Sequence, residues 1–174
     1  MVLLATYGVR AEVLTVGGGG EFQTIGSAVS SAHSGDQILV AAGVYNENLK
    51  LDKTVSIEGT GLPIIHGMGE GSVITVLADN CVIRGFRVEH SGGDLQAEDA
   101  GILLRSNGNT VEDNELSDIL FGIYLYHSAG NVVRNNHVTG RSELESGERG
   151  AGLHLWNSAD NLLEANVISR TRDG

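Results

Sequence analysis

The chain has 174 residues, including 25 glycines, one proline and one cysteine, and its formal net charge is −11. This length suits one domain with a continuous core. The acidic balance argues against nucleic acid and anionic membrane surfaces as partners. The single cysteine, Cys81, excludes an internal disulfide and is more typical of a small turn residue than of a nucleophile. No stretch approaches the roughly 18 apolar residues of a transmembrane helix, so we expect no membrane insertion.

The first eleven residues are compatible with the remnant of a secretion signal. A short apolar run ends with small residues at Val9 and Ala11, a spacing that suits cleavage before Glu12. The positively charged start of such signals is missing, and a first strand or an arbitrary start fits equally well. We therefore expect a folded domain over residues 12–174. Its C-terminal end is expected to be truncated, because the chain stops where another repeat would open.

The segments before residue 70 predict an irregular first turn closed by a helix. Apolar residues recur at helical spacing over residues 22–33, which predicts a short amphipathic helix covering the N-terminal end of the fold. A repeat domain needs such a cap, because its first layer otherwise exposes core and strand edges. The predicted strands around it cover residues 13–16, 37–40, 45–51, 54–57 and 64–66.

The rest of the chain contains four copies of one pattern, which begin near residues 73, 101, 122 and 152. The copies align on Cys81, Asn109, Asn131 and Asn161, and the middle interval is shorter than the two around it. Within each copy, apolar residues alternate at period two over three short stretches separated by polar turns, which is typical of strands with one buried face. A basic unit of about 22 residues with extra loops predicts a solenoid.

We predict a right-handed parallel β-helix with three strands per turn. The alternative, a leucine-rich repeat, would need a helical segment and regularly spaced leucines in each repeat, and neither is evident. The asparagines recur at two turns of each repeat, five residues apart. Asn tolerates the left-handed conformation of a sharp turn. Its side-chain amides can also bond along a stacked column, so we interpret these residues as architectural. The columns should begin one layer after Cys81 and Phe86.

The two long intervals contain insertions at the same corner of the coil. About six extra residues fall in 91–99 and about eight in 141–150. Since they lie two turns apart, about 10 Å, we expect two acidic loops to flank a gap above the tight turn at 117–121. Their carboxylates could pair in catalysis or bind calcium, although acidic loops are more often simply solvated. The acidic residues are Asp94, Glu98, Asp99, Glu143, Glu145 and Glu148.

The same corner borders an aromatic surface. In the strands that open each copy, the apolar pairs Ile102/Leu104, Ile123/Leu125 and Leu153/Leu155 should be buried, so the residues between them must point outward. Two outward columns result, Leu103–Tyr124–His154 and Arg105–Tyr126–Trp156, with His127 at the adjoining turn. An exposed aromatic patch favours a binding surface. The plainer interpretation is a set of cross-strand pairs that stiffens the sheet.

Other candidates for chemistry are sparse. His127 and His154 could act as metal ligands or as acid and base. His66 and Met68 are two residues apart and could share one face, where imidazole and thioether would suit copper. The sequence has no Ser-His-Asp order, CxxC pair, phosphate loop or HExxH motif. We therefore assign no catalytic residue, and the metal ligands remain unknown.

Several strings resemble a known family. The asparagine-rich copies resemble the parallel β-helix repeats of the pectin-lyase-like superfamily. GDQILVAAGVYNENL, EDAGI, LFGIYL, GLHLWNS and RTRDG resemble, more narrowly, the NosD family of periplasmic copper-maturation proteins. That resemblance implies a periplasmic or secreted, non-enzymatic partner of an ABC transporter that serves assembly of the copper centres of nitrous oxide reductase. It allows copper as a cofactor.

Two other functions remain open at this point. A carbohydrate-active β-helix enzyme, a lyase, epimerase or hydrolase, would also use an aromatic face, because sugars stack on aromatic rings. Lyase chemistry needs a base beside groups that neutralise the substrate carboxylate, and this face offers only Arg105 among acidic neighbours. A surface or adhesive repeat without a small ligand is the third interpretation.

Overall fold

The computed structural model describes residues 11–173, which form a parallel β-solenoid of about five turns with one short α-helix. The segment assigned to a signal remnant lies outside the described residues, apart from Ala11. Within 11–173, no helix is long and apolar enough to cross a membrane. In chain order, the elements are β1 (Val13–Val16), α1 (Ile25–Ser31), β2 (Gln37–Ala41), β3 (Val44–Asn46), β4 (Leu49–Leu51), β5 (Ser56–Thr60), β6 (Ile64–His66), β7 (Ile74–Val76), β8 (Val82–Arg84), β9 (Arg87–Glu89), β10 (Ala100–Leu104), β11 (Thr110–Glu112), β12 (Glu115–Ile119), β13 (Phe121–Tyr126), β14 (Val132–Arg134), β15 (His137–Gly140), a 3₁₀ helix (Ser146–Glu148), β16 (Leu153–Trp156), β17 (Leu162–Glu164) and β18 (Val167–Ser169).

Each turn of the coil contributes one strand to each of three parallel sheets. Sheet A runs β1-β2-β5-β8-β11-β14-β17, sheet B runs β3-β6-β9-β12-β15-β18, and sheet C runs β4-β7-β10-β13-β16. The predicted strand of residues 45–51 is divided into β3 and β4, which belong to different sheets. The prediction of three strands per turn is confirmed.

The core fills the space between the three sheets, and in sheet C it follows the predicted register. Ile102 pairs with Ile123, which pairs with Leu153 on the next turn. Ile102, Leu104, Ile123 and Leu125 are fully buried, as predicted. The prediction is wrong for the last layer: Leu153 is only half-buried, and Leu155 is 38% exposed. These two residues lie in β16, the end strand of sheet C, which has no neighbour on its outer side among the described strands.

Two columns of asparagine amides run parallel to the coil axis. In the first, Asn109 Nδ2 donates to Asn131 Oδ1 at 2.9 Å, and Asn131 Nδ2 donates to Asn161 Oδ1 at 2.8 Å. The second column repeats this pattern with distances of 3.0 Å through Asn114, Asn136 and Asn166. Because the backbone N–H groups of Cys81 and Phe86 donate into the first amide of each column, the columns begin one layer after those residues, as predicted.

The conformational role expected of these asparagines belongs to their neighbours. The positive φ angles fall on the residue that precedes each column position, such as Gly130 at 66° and Asn135 at 55°. Most of these preceding residues are of the types that tolerate the left-handed region, and Ala165 at 54° is an exception. The column asparagines therefore serve the turn through their amides, and the left-handed step is made one residue earlier.

Helix α1 covers the N-terminal end of the coil, as predicted, over fewer residues than the periodicity suggested. It packs on β1, β2 and β4 through Ile25, Ala28 and Val29. The Glu47 carboxylate accepts hydrogen bonds from the first helical N–H groups, both at 2.8 Å. At the other end, Lys53 Nζ donates to three carbonyl oxygens of the last turn and the C-cap. A negative group at the N-terminus and a positive group at the C-terminus both complement the helix dipole.

Candidate docking surface

The outer face of sheet C carries the two predicted columns of side chains. Leu103 pairs with Tyr124 and Tyr124 with His154, while Tyr126 pairs with Trp156 on the following turn. Arg105 directly follows β10, and its guanidinium carbon lies 4.7 Å from the centre of the Tyr126 ring. This is a cation–π contact. The structure thus brings the residues predicted for the binding face together on one surface.

Tyr124 corrects the expectation of a fully exposed patch. Its side chain points away from the coil, yet only 2% of the residue is exposed. It belongs to a second apolar cluster outside the sheet, formed with Ala100, Leu120, Phe121 and Ala151 and flanked by Leu103, Tyr126 and Leu144. The two insertions supply the cover, because Leu144 lies in one and Glu98 in the other. An alternating strand pattern shows which way a side chain points, but it cannot show that a loop folds over it.

The phenol of Tyr124 lies in an unusual environment. Its hydroxyl makes no hydrogen bond to any residue within 11–173. Burial raises the pKa of Tyr124 well above its ordinary value, and the nearby Glu98 carboxylate raises it further. The side chain is therefore neutral across the physiological range. Aromatic contacts hold it, with ring-centre distances of 4.7 Å to His154 and 5.9 Å to Tyr126.

The two insertions are joined, which replaces the predicted gap. Arg141, at the start of the second insertion, donates from Nη1 to Gly92 O at 3.2 Å and from Nη2 to Ser91 O at 2.5 Å. Its Nε also donates to Asp118 Oδ1 at 3.0 Å. One side chain therefore connects both insertions to the turn between them. The sequence prediction missed Arg141, because a lone arginine after a strand carries no periodic signal.

Several of the acidic residues in the insertions are used to shape the loops. Asp94 Oδ1 accepts from the N–H groups of the following turn, and buried Asp99 accepts from Asp94 N at 3.0 Å. Glu148 accepts from Glu145 N at 3.3 Å around the 3₁₀ helix. Glu143 is exposed at the edge of the second insertion. Five of the six carboxylates therefore accept hydrogen bonds within their own loop or face solvent. Of the six, Glu98 is the one that lies beside Tyr124 in the second apolar cluster.

The solvent-facing part of the surface lies toward the end of the strands. Trp156 is 52% exposed, Arg105 and His127 are exposed, and Tyr126 and His154 are half-exposed. The Tyr126 and His127 rings meet edge to face, with 4.5 Å between their centres. We call these five residues the aromatic face. It combines large rigid rings with one arginine, the residue types that are enriched at the centres of protein interfaces.

The other candidates for chemistry are distributed over the coil. Cys81 is fully buried, and burial raises the pKa of its thiol, which opposes the thiolate form that a nucleophile or metal ligand needs. Met68 is 60% exposed, and His66 Nδ1 lies 3.0 Å from Glu89 Oε1. Within the described part of the chain, no group of three or more His, Cys, Asp or Glu residues could hold a metal ion.

The family model for the right-handed β-helix region matches residues 27–168. The chain belongs to this family. The right-handed sense predicted for the coil follows from that membership.

Curated relatives give a narrower similarity. The chain is 31% identical over 137 residues to the probable ABC transporter binding protein NosD of Pseudomonas aeruginosa, covering 78% of this chain and 32% of that protein. It is 22% identical over 135 residues to the protein of the same description from Stutzerimonas stutzeri, covering 76% and 31%. A cell surface glycoprotein of Methanothermus fervidus is 26% identical over 188 residues, covering 90% and 30%. The chain spans about a third of the length of these relatives.

Solved structures share the fold at low sequence identity. An alginate lyase from Paenibacillus sp. superposes with a TM-score of 0.70 at 20% identity, covering 90% of this chain and 58% of the enzyme. A pectin methylesterase from Erwinia chrysanthemi gives 0.53 at 14% identity, covering 93% and 66%. At this level of identity, the similarity establishes the architecture alone.

Proposed function

We propose that this chain is part of a binding protein that docks onto an ABC transporter through the aromatic face. The observation that carries the proposal is the solvent-facing group of Trp156, Tyr126 and Arg105 beside a covered aromatic cluster. Large rings and arginine supply binding energy when a partner removes them from water. The similarity to NosD, described as a transporter-binding protein, supports a transporter as that partner.

The finer function follows the resemblance to the NosD family. We assign the protein to the periplasm or the cell exterior. There it would serve assembly of the copper centres of nitrous oxide reductase, which would be its second protein partner after the transporter. This role requires no catalytic residue on the β-helix. The burial pattern of the surface suits docking, because the buried Tyr124 and the insertions pack beneath the exposed rings and hold them in place.

A binding measurement with two variants tests the proposal. Trp156→Ala and Tyr126→Ala each remove an exposed or half-exposed ring, so neither opens a cavity in the coil. Truncating an interface anchor typically costs at least about 2 kcal/mol of binding free energy, which raises the dissociation constant roughly 30-fold. Val44→Ala is the matched control, since Val44 is 60% exposed on sheet B. It should bind the purified transporter like the unmutated chain.

The same variants separate the competing interpretations. Unchanged affinity for the transporter and for nitrous oxide reductase in the Trp156→Ala/Tyr126→Ala double variant would remove the docking function. Acidic and neutral polysaccharides form a second arm of the experiment. Cleavage of a polysaccharide by the unmutated protein, abolished by Arg105→Ala, would establish the carbohydrate-active alternative instead.

A further inference from the structure

The carboxylates of the protein fall into two groups, those that arginines neutralise and those that stay unpaired. On sheets A and B, carboxylates meet arginines of neighbouring turns, as in Glu112 with Arg134 at 2.7 Å and Glu115 with Arg87 at 2.9 Å. The two insertions beside sheet C contain six carboxylates and two arginines. Within residues 11–173, none of these six carboxylates forms a salt bridge. The negative charge of the insertions is therefore not neutralised by the coil.

Both arginines of the insertions are used for other contacts. Arg141 donates to Asp118 and to carbonyl oxygens of the first insertion. Arg149 donates from Nε to Leu144 O at 2.8 Å and from Nη2 to Ser142 O at 3.0 Å. Neither arginine neutralises a carboxylate of its own or the other insertion. The border of the aromatic face thus keeps a negative charge, which favours a cationic surface as partner.

One of these unpaired carboxylates lies against the second apolar cluster. Glu98 is half-buried, and its backbone is left-handed with a φ of 57°, which is uncommon for a glutamate. Its carboxylate lies beside the Tyr124 hydroxyl and raises the pKa of that phenol. The hydroxyl itself is buried, and it has no hydrogen-bond partner among the described residues. A buried hydroxyl without a partner costs free energy, so this pair of groups points to a ligand that supplies hydrogen-bond donors.

The rings around Glu98 and Tyr124 suit a cation. The Tyr124 ring centre lies 4.7 Å from that of His154 and 5.9 Å from that of Tyr126, and both neighbours are half-exposed. Aromatic faces attract cations, and Arg105 already lies over the Tyr126 ring. Arg105 forms no salt bridge in the described part of the chain, so it does not neutralise Glu98. Because Arg105 occupies the Tyr126 ring, we expect an incoming cation at Glu98.

We propose that the protein partner docks with a basic segment, and that one arginine or lysine of this segment binds the Glu98 carboxylate and the Tyr124 hydroxyl. Both side-chain types carry only donors, which matches two oxygen acceptors. Arginine is favoured, because its planar fork can donate to two oxygens at once. The side chain meets the half-buried carboxylate first and reaches the covered hydroxyl as Glu98 shifts. This inference rests on the proposed docking function and adds to it the chemistry of the partner surface.

A short basic peptide tests the site without the transporter. Tetra-arginine should bind the unmutated chain in a saturable way and shift the carbon-13 signal of the Glu98 carboxyl group. Glu98→Gln should lower the affinity at least about tenfold, because it removes a charged acceptor, whereas Glu98→Asp should stay within about threefold. Tyr124→Phe should lower the affinity at least about threefold, because it removes the second acceptor. The matched control is Glu21→Gln, which removes the same charge at an exposed position between β1 and α1 and should change the affinity less than about twofold.

The same variants, shown to be folded by thermal melts, separate this inference from the docking function when the purified transporter is added. The affinity of the unmutated chain for the transporter should fall as salt rises from about 50 to about 500 mM, and less steeply in Glu98→Gln. Docking that needs Trp156 but neither Glu98 nor the Tyr124 hydroxyl would refute this inference alone. Tetra-arginine binding at Glu98 without docking to the transporter would instead remove the docking function and keep the cation site. Equal tetra-arginine affinity in Glu98→Gln and Glu21→Gln, or no saturable binding of the peptide, would overturn the proposal.

Discussion

Asn131 offers a direct measure of what the amide columns contribute to stability. Its buried side chain makes four hydrogen bonds. Oδ1 accepts from Asn109 N and Asn109 Nδ2, both at 2.9 Å, and Nδ2 donates to Ser128 Oγ and Asn161 Oδ1, both at 2.8 Å. Asn131→Ala therefore leaves two buried donors of Asn109 without an acceptor. A buried polar group without a partner costs about 1–3 kcal/mol.

The expected loss is about 2–6 kcal/mol, a large part of the roughly 5–15 kcal/mol that stabilises a domain of this size. Urea unfolding followed by far-ultraviolet circular dichroism measures it as a shift of the midpoint at constant slope. Asn161→Ala is the matched control. Asn161 belongs to the same column, but it is itself partly exposed in the last described turn. Removing its side chain should therefore open the two Asn131 donors that it accepts from to water, so the loss should be only about 1–2 kcal/mol. A loss for Asn131→Ala no larger than that of the control, or no shift of the midpoint at all, would refute the reasoning.

Two further predictions concern the covered cluster and the end of the coil. Tyr124→Ala should cost about 3–5 kcal/mol, as for other buried aromatics, whereas Tyr124→Phe should keep or raise stability at neutral pH because it removes an unpartnered hydroxyl. Because the pKa of Tyr124 is raised in the folded state, the stability that its neutral phenol contributes should be complete below the ordinary tyrosine pKa of about 10. That stability should be lost as the pH rises through the folded pKa. Unfolding from pH 8 to 11 should therefore show a smaller alkaline loss for Tyr124→Phe, and equal slopes would contradict this. Strands β17 and β18 end sheets A and B, so their amides should exchange fast or the chain should self-associate there; strong protection in a dilute, verified monomer would be the contrary result.

Much of the coil could be predicted because the same alternation of buried residues and the same turns repeat along the chain. The alternation at Ile102/Leu104 and Ile123/Leu125 sets which faces are buried, and the return of asparagine at the same point of each repeat sets the layers. The same argument fails at Leu155, since burial in a solenoid needs a layer on each side. The turn conformation was assigned one residue too late, because sequence spacing shows the recurrence of asparagine but not which residue of the turn has a positive φ.

The candidate sites show where periodicity stops being informative. The position of Tyr124 followed from its strand, but its burial depends on insertions without a repeat, held by the long-range contacts of Arg141. The stacking of His90 on His66 of the preceding turn likewise depends on how the coil brings the two residues together. Both features depend on which residues the coil brings together, and a single sequence without co-varying relatives gives no signal for such pairs.

Hydrogen–deuterium exchange in the presence of the purified transporter tests the docking surface most directly. The proposal predicts that saturating transporter slows exchange in β16 and in the turn at residues 127–130, which border the aromatic face, and that β6 and β9 of sheet B keep their rates. Trp156→Ala should abolish this protection at the same transporter concentration. Protection confined to sheet B, or none at saturation, would contradict the proposal that the outer face of sheet C is where the partner binds.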